Sequence, residues 1–132
     1  MFRDQSSIRV FFRTPPRNLF VSAEEYGSTV LHELTHSTGH EKRLARESIF
    51  EAAEFGSAVY SKEELIAEMG GAYLCAEAGI SNAVIENQAA YIGGWLSRVR
   101  DDRRLIVHAA AHAQRAADYI LNRTPSCDQV SA

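Results

Sequence analysis

The sequence predicts a mainly α fold, an α+β chain in which helices dominate and a small β element stands at the N-terminal side. Three observations predict it. Apolar residues recur at helical spacing through most of the chain, Ser and Asp caps divide that pattern into segments, and one β-branched and aromatic run, Ile8 to Phe12, stands apart. The 132 residues are one domain's worth, and 45% apolar with 23% charged residues excludes a disordered or fibrous chain. The domain is expected over residues 1–122, with 123–132 a frayed, disordered tail.

The elements follow in order. Ile-Arg-Val-Phe-Phe at 8–12 reads as a short strand, ended by Pro15-Pro16. Ser22 with Glu25 three residues on forms a capping box, and the helix it opens should run to about Thr38, with Gly39 as its C′ residue. Residues 41–59 read as a connection plus a short helix. Ser61 starts the next helix, which ends near Gly79; Ser81 caps a fourth, to about Arg100. Asp101-Asp102 opens a fifth, alanine-rich helix that fades near Asn122. The expected core is Val30, Leu34, Leu65, Met69, Ala72, Ile92, Trp95, Leu96, Leu105 and Ile106.

Charge narrows the function. Fourteen Lys and Arg against seventeen Asp and Glu give −3, a poor basis for gripping phosphate backbones, so no direct nucleic-acid binding is expected. No apolar run approaches the roughly 20 residues of a membrane helix, and Met1 to Val10 lacks the apolar centre of a signal peptide. Cys75 and Cys127 lie far apart, which argues against a disulfide framework or a cysteine zinc knuckle. A cytoplasmic setting without a membrane partner is the expectation.

His32-Glu33-Leu34-Thr35-His36 carries the chemistry. Two histidines four apart lie on one helix face about 40° from each other, so both imidazoles can reach one ion. Glu33 lies about 100° round, placed to touch a water on that ion without ligating it. The pattern arises in roughly 2 of 100 shuffled sequences of this composition, so context must support it. On the same helix Ala23, Gly27, Val30, Leu31 and Leu34 make an apolar face, and the histidines lie opposite, where a cleft wall would be.

A catalytic zinc needs a third protein ligand and an open position. His40 is one candidate, but it falls just past the expected helix stop at Gly39, and Lys42 occupies the position where an extended motif would put a third His. The stronger candidates are Glu64 and Glu68, one turn apart beside the apolar face of Leu65, Met69, Ala72 and Ala76. Glu64 is expected as ligand and Glu68 as the acid that holds a ligand histidine by its other nitrogen, with the reverse order open. Helical angles turn Glu63 the opposite way, towards solvent. Gly71 shares the face of Glu64 and Glu68, where another helix could approach closely. Cys75 lies too far along the helix to share an ion with Glu64 and is expected to pack. His108 and His112 form another i,i+4 pair with no third ligand in sequence.

The residues taken together resemble a known family. Pro15-Pro16, Phe20, Tyr26, the His32 to His40 segment, Arg43-Leu44, Phe55-Gly56-Ser57, the Tyr60 to Glu68 stretch with Gly70-Gly71, Asn87, Tyr91-Ile92, Trp95-Leu96, Ala113-Gln114 and Ala116 to Ile120 are similar to the zincin-like metallopeptidase domain of the ArdC antirestriction and TraC-type primase-associated proteins of plasmids and phages. The resemblance spans about residues 10 to 122. It implies a gluzincin-type helical domain with one catalytic zinc, and it does not choose between Glu64 and Glu68. ArdC-type proteins usually carry an N-terminal domain that binds single-stranded DNA. Only about 20 residues precede the first helix here, so that property is not carried over.

The expected activity is zinc-dependent peptide hydrolysis, with His32, His36 and Glu64 on the metal and Glu33 as general base. Tyr60, Tyr91, His108 and His112 are candidate oxyanion donors. The partner is a polypeptide substrate or a host protein. The alternative is a non-catalytic zincin-fold module that acts on a host protein by occlusion.

Overall fold

The computed structural model describes residues 13–47, 57–80, 82–99 and 102–123. Among these residues a 3-10 turn at Arg17–Leu19 is followed by four helices of described extent: α1 (Ala23–Ser37), α2 (Ala58–Ala78), α3 (Asn82–Val99) and α4 (Arg103–Ile120). Among the described residues there is no strand. The run at Ile8–Phe12 lies outside them, as do residues 48–56 of the stretch in which a short helix is expected, Ser81, Asp101 and residues 124–132 of the expected tail.

The caps explain most of the boundaries. Ser22 precedes α1 and its Oγ accepts from the Glu25 N–H at 3.1 Å, while Glu25 reaches back to the Val21 N–H. Asp102 precedes α4 and accepts from the Leu105 N–H at 3.0 Å. Gly79 ends α2 at φ 68°, with the Ile80 N–H bonded to the Cys75 carbonyl in a Schellman arrangement. One boundary differs from expectation. α2 starts at Ala58, because Ser57 rather than Ser61 is its cap and accepts from the Tyr60 N–H at 3.2 Å. Ser61 is buried in the first turn, and Glu64 is therefore no part of a capping box. α1 ends at Ser37 with Thr38 as its C-cap and Gly39 at C′, as read, but the left-handed residue of the turn that follows is Ala45 (φ 46°).

α2 is the central helix and packs against the other three. Its apolar residues run round the helix rather than along one stripe, as a helix enclosed by neighbours requires. Leu65, Ile66, Ala67, Leu74 and Cys75 are all buried. Opposite them α4 presents Ala109, Ala113, Ala116 and Ala117, an i, i+4, i+7, i+8 seam of small side chains that lets the two axes approach. Met69, Ile92, Trp95, Leu96, Leu105 and Ile106 pack round this centre, as the sequence suggests. Ala72 is half-buried, and so are Val30 and Leu34, which fall outside the fully buried set.

The approach of α1 to α2 positions everything that follows, and two glycines permit it. A Cβ on Gly71 would stand 3.4 Å from the backbone of His32, and one on Gly70 would stand 2.5 Å from Thr35 Cγ2. Thr35 is fully buried and its hydroxyl donates to the Leu31 carbonyl at 2.8 Å, so it has nowhere to retreat. Gly70→Ala should therefore force the helices apart. The expected cost is about 1–3 kcal/mol of unfolding free energy, read from urea titration of the metal-free protein.

Candidate metal centre

His32 and His36 project from one face of α1 towards α2, with ring centroids 4.7 Å apart. Their Nε2 atoms are separated by 3.1 Å. Glu64, on α2, bridges them: Oε2 is 3.5 Å from His32 Nε2 and Oε1 is 3.3 Å from His36 Nε2. Two imidazole nitrogens and a carboxylate thus converge, each half-buried, with ligand atoms all within 4.8 Å of one another. Bonds of about 2.0–2.1 Å to a tetrahedral ion put neighbouring donor atoms about 3.3 Å apart, so the donor set fits such an ion in both chemistry and spacing.

The outer nitrogens are held as well. Glu68 Oε1 lies 3.3 Å from His32 Nδ1. Glu63 Oε1 lies 3.1 Å from His36 Nδ1. This second contact corrects the expectation for Glu63, which is only 6% exposed rather than turned to solvent. Glu63 is covered because the turn after α1 folds over it. From that turn Arg46, 3% exposed, reaches Glu63 with Nη2–Oε1 at 2.7 Å and Nε–Oε2 at 3.1 Å. Sequence reasoning missed both residues. The available signal was that the i±3 and i±4 neighbours of Glu63 are Val59, Tyr60, Ile66 and Ala67, which suit a buried acid.

Glu33 opens onto a cleft of about 490 Å³ between α1, α2 and α3, next to His32 and Glu68. Phe20, Glu25, Asn87, Gln88 and Tyr91 complete much of its wall. Tyr91 is thus brought to the site, although 63% exposed. The other candidates do not line this cleft. Tyr60 packs on Trp95 with centroids 5.8 Å apart. His40 is exposed and its Nδ1 accepts from the Lys42 N–H at 3.2 Å. His108 and His112 meet edge-on along α4, and neither lines the cleft. Burial, followed by the charges of Lys62, Arg115, His108 and Arg46, depresses the His112 pKa. Cys75 packs, with Gln88 Nε2 3.3 Å from its sulfur.

Electrostatics at the centre are strongly coupled. Burial by itself pulls both imidazole pKa values down, but adjacent carboxylates outweigh it. Hydrogen bonds and charge from Glu64 and Glu68 raise His32 to about 10. Glu63 and Glu64 raise His36 to about 9, against the opposing charge of His32. Burial pushes Glu64 up, yet the two histidines hold it down at about 2. Stability follows from these directions. The histidines contribute fully below their ordinary value of 6.5, and that contribution is lost as pH rises through about 9 to 10. The Glu64 contribution is present above 4.5 and is lost as pH falls towards about 2. The metal-free protein should therefore be most stable between about pH 4.5 and 6.5 and should lose melting temperature on the alkaline side, as thermal unfolding in chelator would show.

The zincin-like metallopeptidase family matches residues 6–112, a stretch that contains His32, His36 and Glu64. The chain belongs to that family. The zincin-like domain is 42% identical over 107 residues to the DNA primase TraC of Escherichia coli, covering 81% of this chain and 10% of TraC. It is also similar to the antirestriction protein ArdC from the R388 plasmid. The Mn(II)-bound ArdC crystal structure aligns with a TM-score of 0.64 at 41% identity, over 89% of this chain and 45% of ArdC. The metal-free one aligns at 0.59 and 38%, over 90% of this chain and 46% of ArdC. The chain thus spans less than half of ArdC and about a tenth of TraC. No helix among the described residues is long and apolar enough to cross a membrane.

Proposed function

We propose that this zincin-like domain hydrolyses peptide bonds at one divalent ion, zinc, held by His32, His36 and Glu64. The observation that carries the reading is the convergence of two Nε2 atoms and one carboxylate at 3.1 to 3.5 Å, beside a cleft onto which Glu33 opens. Zinc in that position supplies a Lewis acid for the scissile carbonyl and brings the pKa of a bound water to about 7. Glu33 takes the proton of the attacking water and delivers it to the leaving amine. Glu68 fixes the ring of His32 through Nδ1, which keeps its Nε2 lone pair on the site. Tyr91, on the cleft wall, is the oxyanion donor best placed among the four candidates.

The partner is an extended polypeptide, a substrate or a host protein, reached in the cytoplasm. Nucleic acid is not a partner of this domain, in keeping with a net charge of −3. The Mn(II) in ArdC supports a divalent site in the family, and the two imidazoles with one carboxylate favour zinc here. Anomalous scattering at the zinc edge from crystals of purified protein tests the assignment. A single peak between His32, His36 and Glu64 is expected, and crystals grown with zinc that show none there would overturn it. Hydrolysis of a peptide library, abolished by chelator and restored by zinc, tests the activity. A domain that binds a host protein and zinc but cleaves nothing would instead act by occlusion.

A further inference from the structure

We propose that Arg46 and Glu63 form a positioning pair that aims His36 at the metal, in addition to joining α1 to α2. The proposal rests on the metal-site reading given above. His36 Nε2 faces His32 and Glu64, so its remaining ring nitrogen decides the tautomer. Glu63 Oε1, 3.1 Å from Nδ1, accepts a hydrogen bond from Nδ1–H and leaves the Nε2 lone pair on the site.

A carboxylate with 6% exposure needs a counter-charge, and Arg46 provides it side-on through Nε and Nη2. The rest of that guanidinium is anchored to the end of α1. Nη1 donates to Thr38 Oγ1 at 2.7 Å, and Nη2 also donates to the Thr35 carbonyl at 2.9 Å and to the His36 carbonyl at 3.3 Å. The same pair therefore fixes the ring of His36 from α2 and its backbone from the following turn. Arg46 is seated by that turn, whose Arg46 N–H donates to the Gly39 carbonyl and whose Ala45 takes the left-handed backbone. Neither Arg46 nor Glu63 lines the cleft, so the pair acts through His36 and not on substrate.

The test is metal affinity, measured on the full chain by competition with a chromophoric chelator for Zn2+ and, separately, for Mn2+. The melting temperature of each metal-free variant is recorded alongside. Glu63→Gln is expected to weaken Zn2+ binding about 10- to 100-fold. Arg46→Lys keeps the charge, loses the fork, and is expected to weaken binding by a smaller factor. The nitrogen spectrum of His36 in the zinc-loaded wild type should show its proton on Nδ1. If Glu63→Gln does not fold, Arg46→Lys alone decides. Variants that melt lower but bind Zn2+ as tightly as wild type would reduce the pair to a structural tie and overturn the proposal. Wild-type protein that takes up neither metal overturns the site reading itself, a result distinct from wild type and variants binding alike.

Discussion

Glu33→Gln protein is expected to keep its zinc and to lose peptide hydrolysis by about 10²- to 10⁴-fold, the usual contribution of a positioned general base. The expectation follows from where Glu33 stands. It is one residue from His32, about 100° further round α1, and it faces the cleft rather than Glu64. Glutamine preserves volume and helix propensity but cannot take a proton, so fold and metal content should match wild type. The measurement is turnover of a cleavable peptide, normalised to zinc per chain. A variant that retained full turnover would remove Glu33 from the mechanism. A variant that lost both turnover and zinc would place it in the ligand set. If the biological effect of the protein survived the substitution while cleavage vanished, the domain would work by binding its target.

The second large effect concerns the metal and stability together. An ion that binds the folded chain and not the unfolded one stabilises it by RT ln(1 + [M]/Kd), about 4 kcal/mol at a thousand times Kd. Zinc should therefore raise the melting temperature of wild-type protein by many degrees, and chelator should reverse the rise. His36→Ala removes one of the three proposed ligands and the partner of Glu63, so its melting temperature should lose most of its response to zinc. The response should also depend on pH. Both imidazoles hold protons well above their ordinary range, His32 to about 10 and His36 to about 9, and zinc must displace those protons to bind. Apparent affinity should accordingly tighten from pH 6 to pH 8. A pH-independent zinc shift, or an undiminished one in His36→Ala, would place the ion elsewhere.

Much of the architecture is legible in the residues themselves. Ser22, Asp102 and Gly79 are local signals, decided by hydrogen bonds within four residues, and each marks a helix end as read. The two-histidine spacing is equally local. Gly71 reads as a point of close helix approach, and the backbone of His32 is what approaches it. Other features were not legible because they depend on competition between equivalent signals. Ser57 and Ser61 both precede helical sequence, and the longer helix uses the first. Gly39 looked like the natural left-handed residue, but the turn is closed by Arg46 bonding back to it, which moves the positive φ to Ala45. The alanine seam of α4 escaped a core prediction weighted towards large side chains, although Ala109 and Ala113 are fully buried.

Residue spacing is enough to put two imidazoles on one face of α1 with an acid beside them, because 3.6 residues per turn is a property of the backbone alone. It also narrowed the third donor to two acids a turn apart on one face of α2. Tertiary structure decided which of them sits between the imidazoles, and it placed Glu64 there and Glu68 on the outer nitrogen of His32. It also decided the fate of Glu63, which helical angle alone directs to water. A charge stays buried only if another segment brings its counter-ion, and Arg46, 17 residues earlier, does so through a turn whose course no local signal specifies.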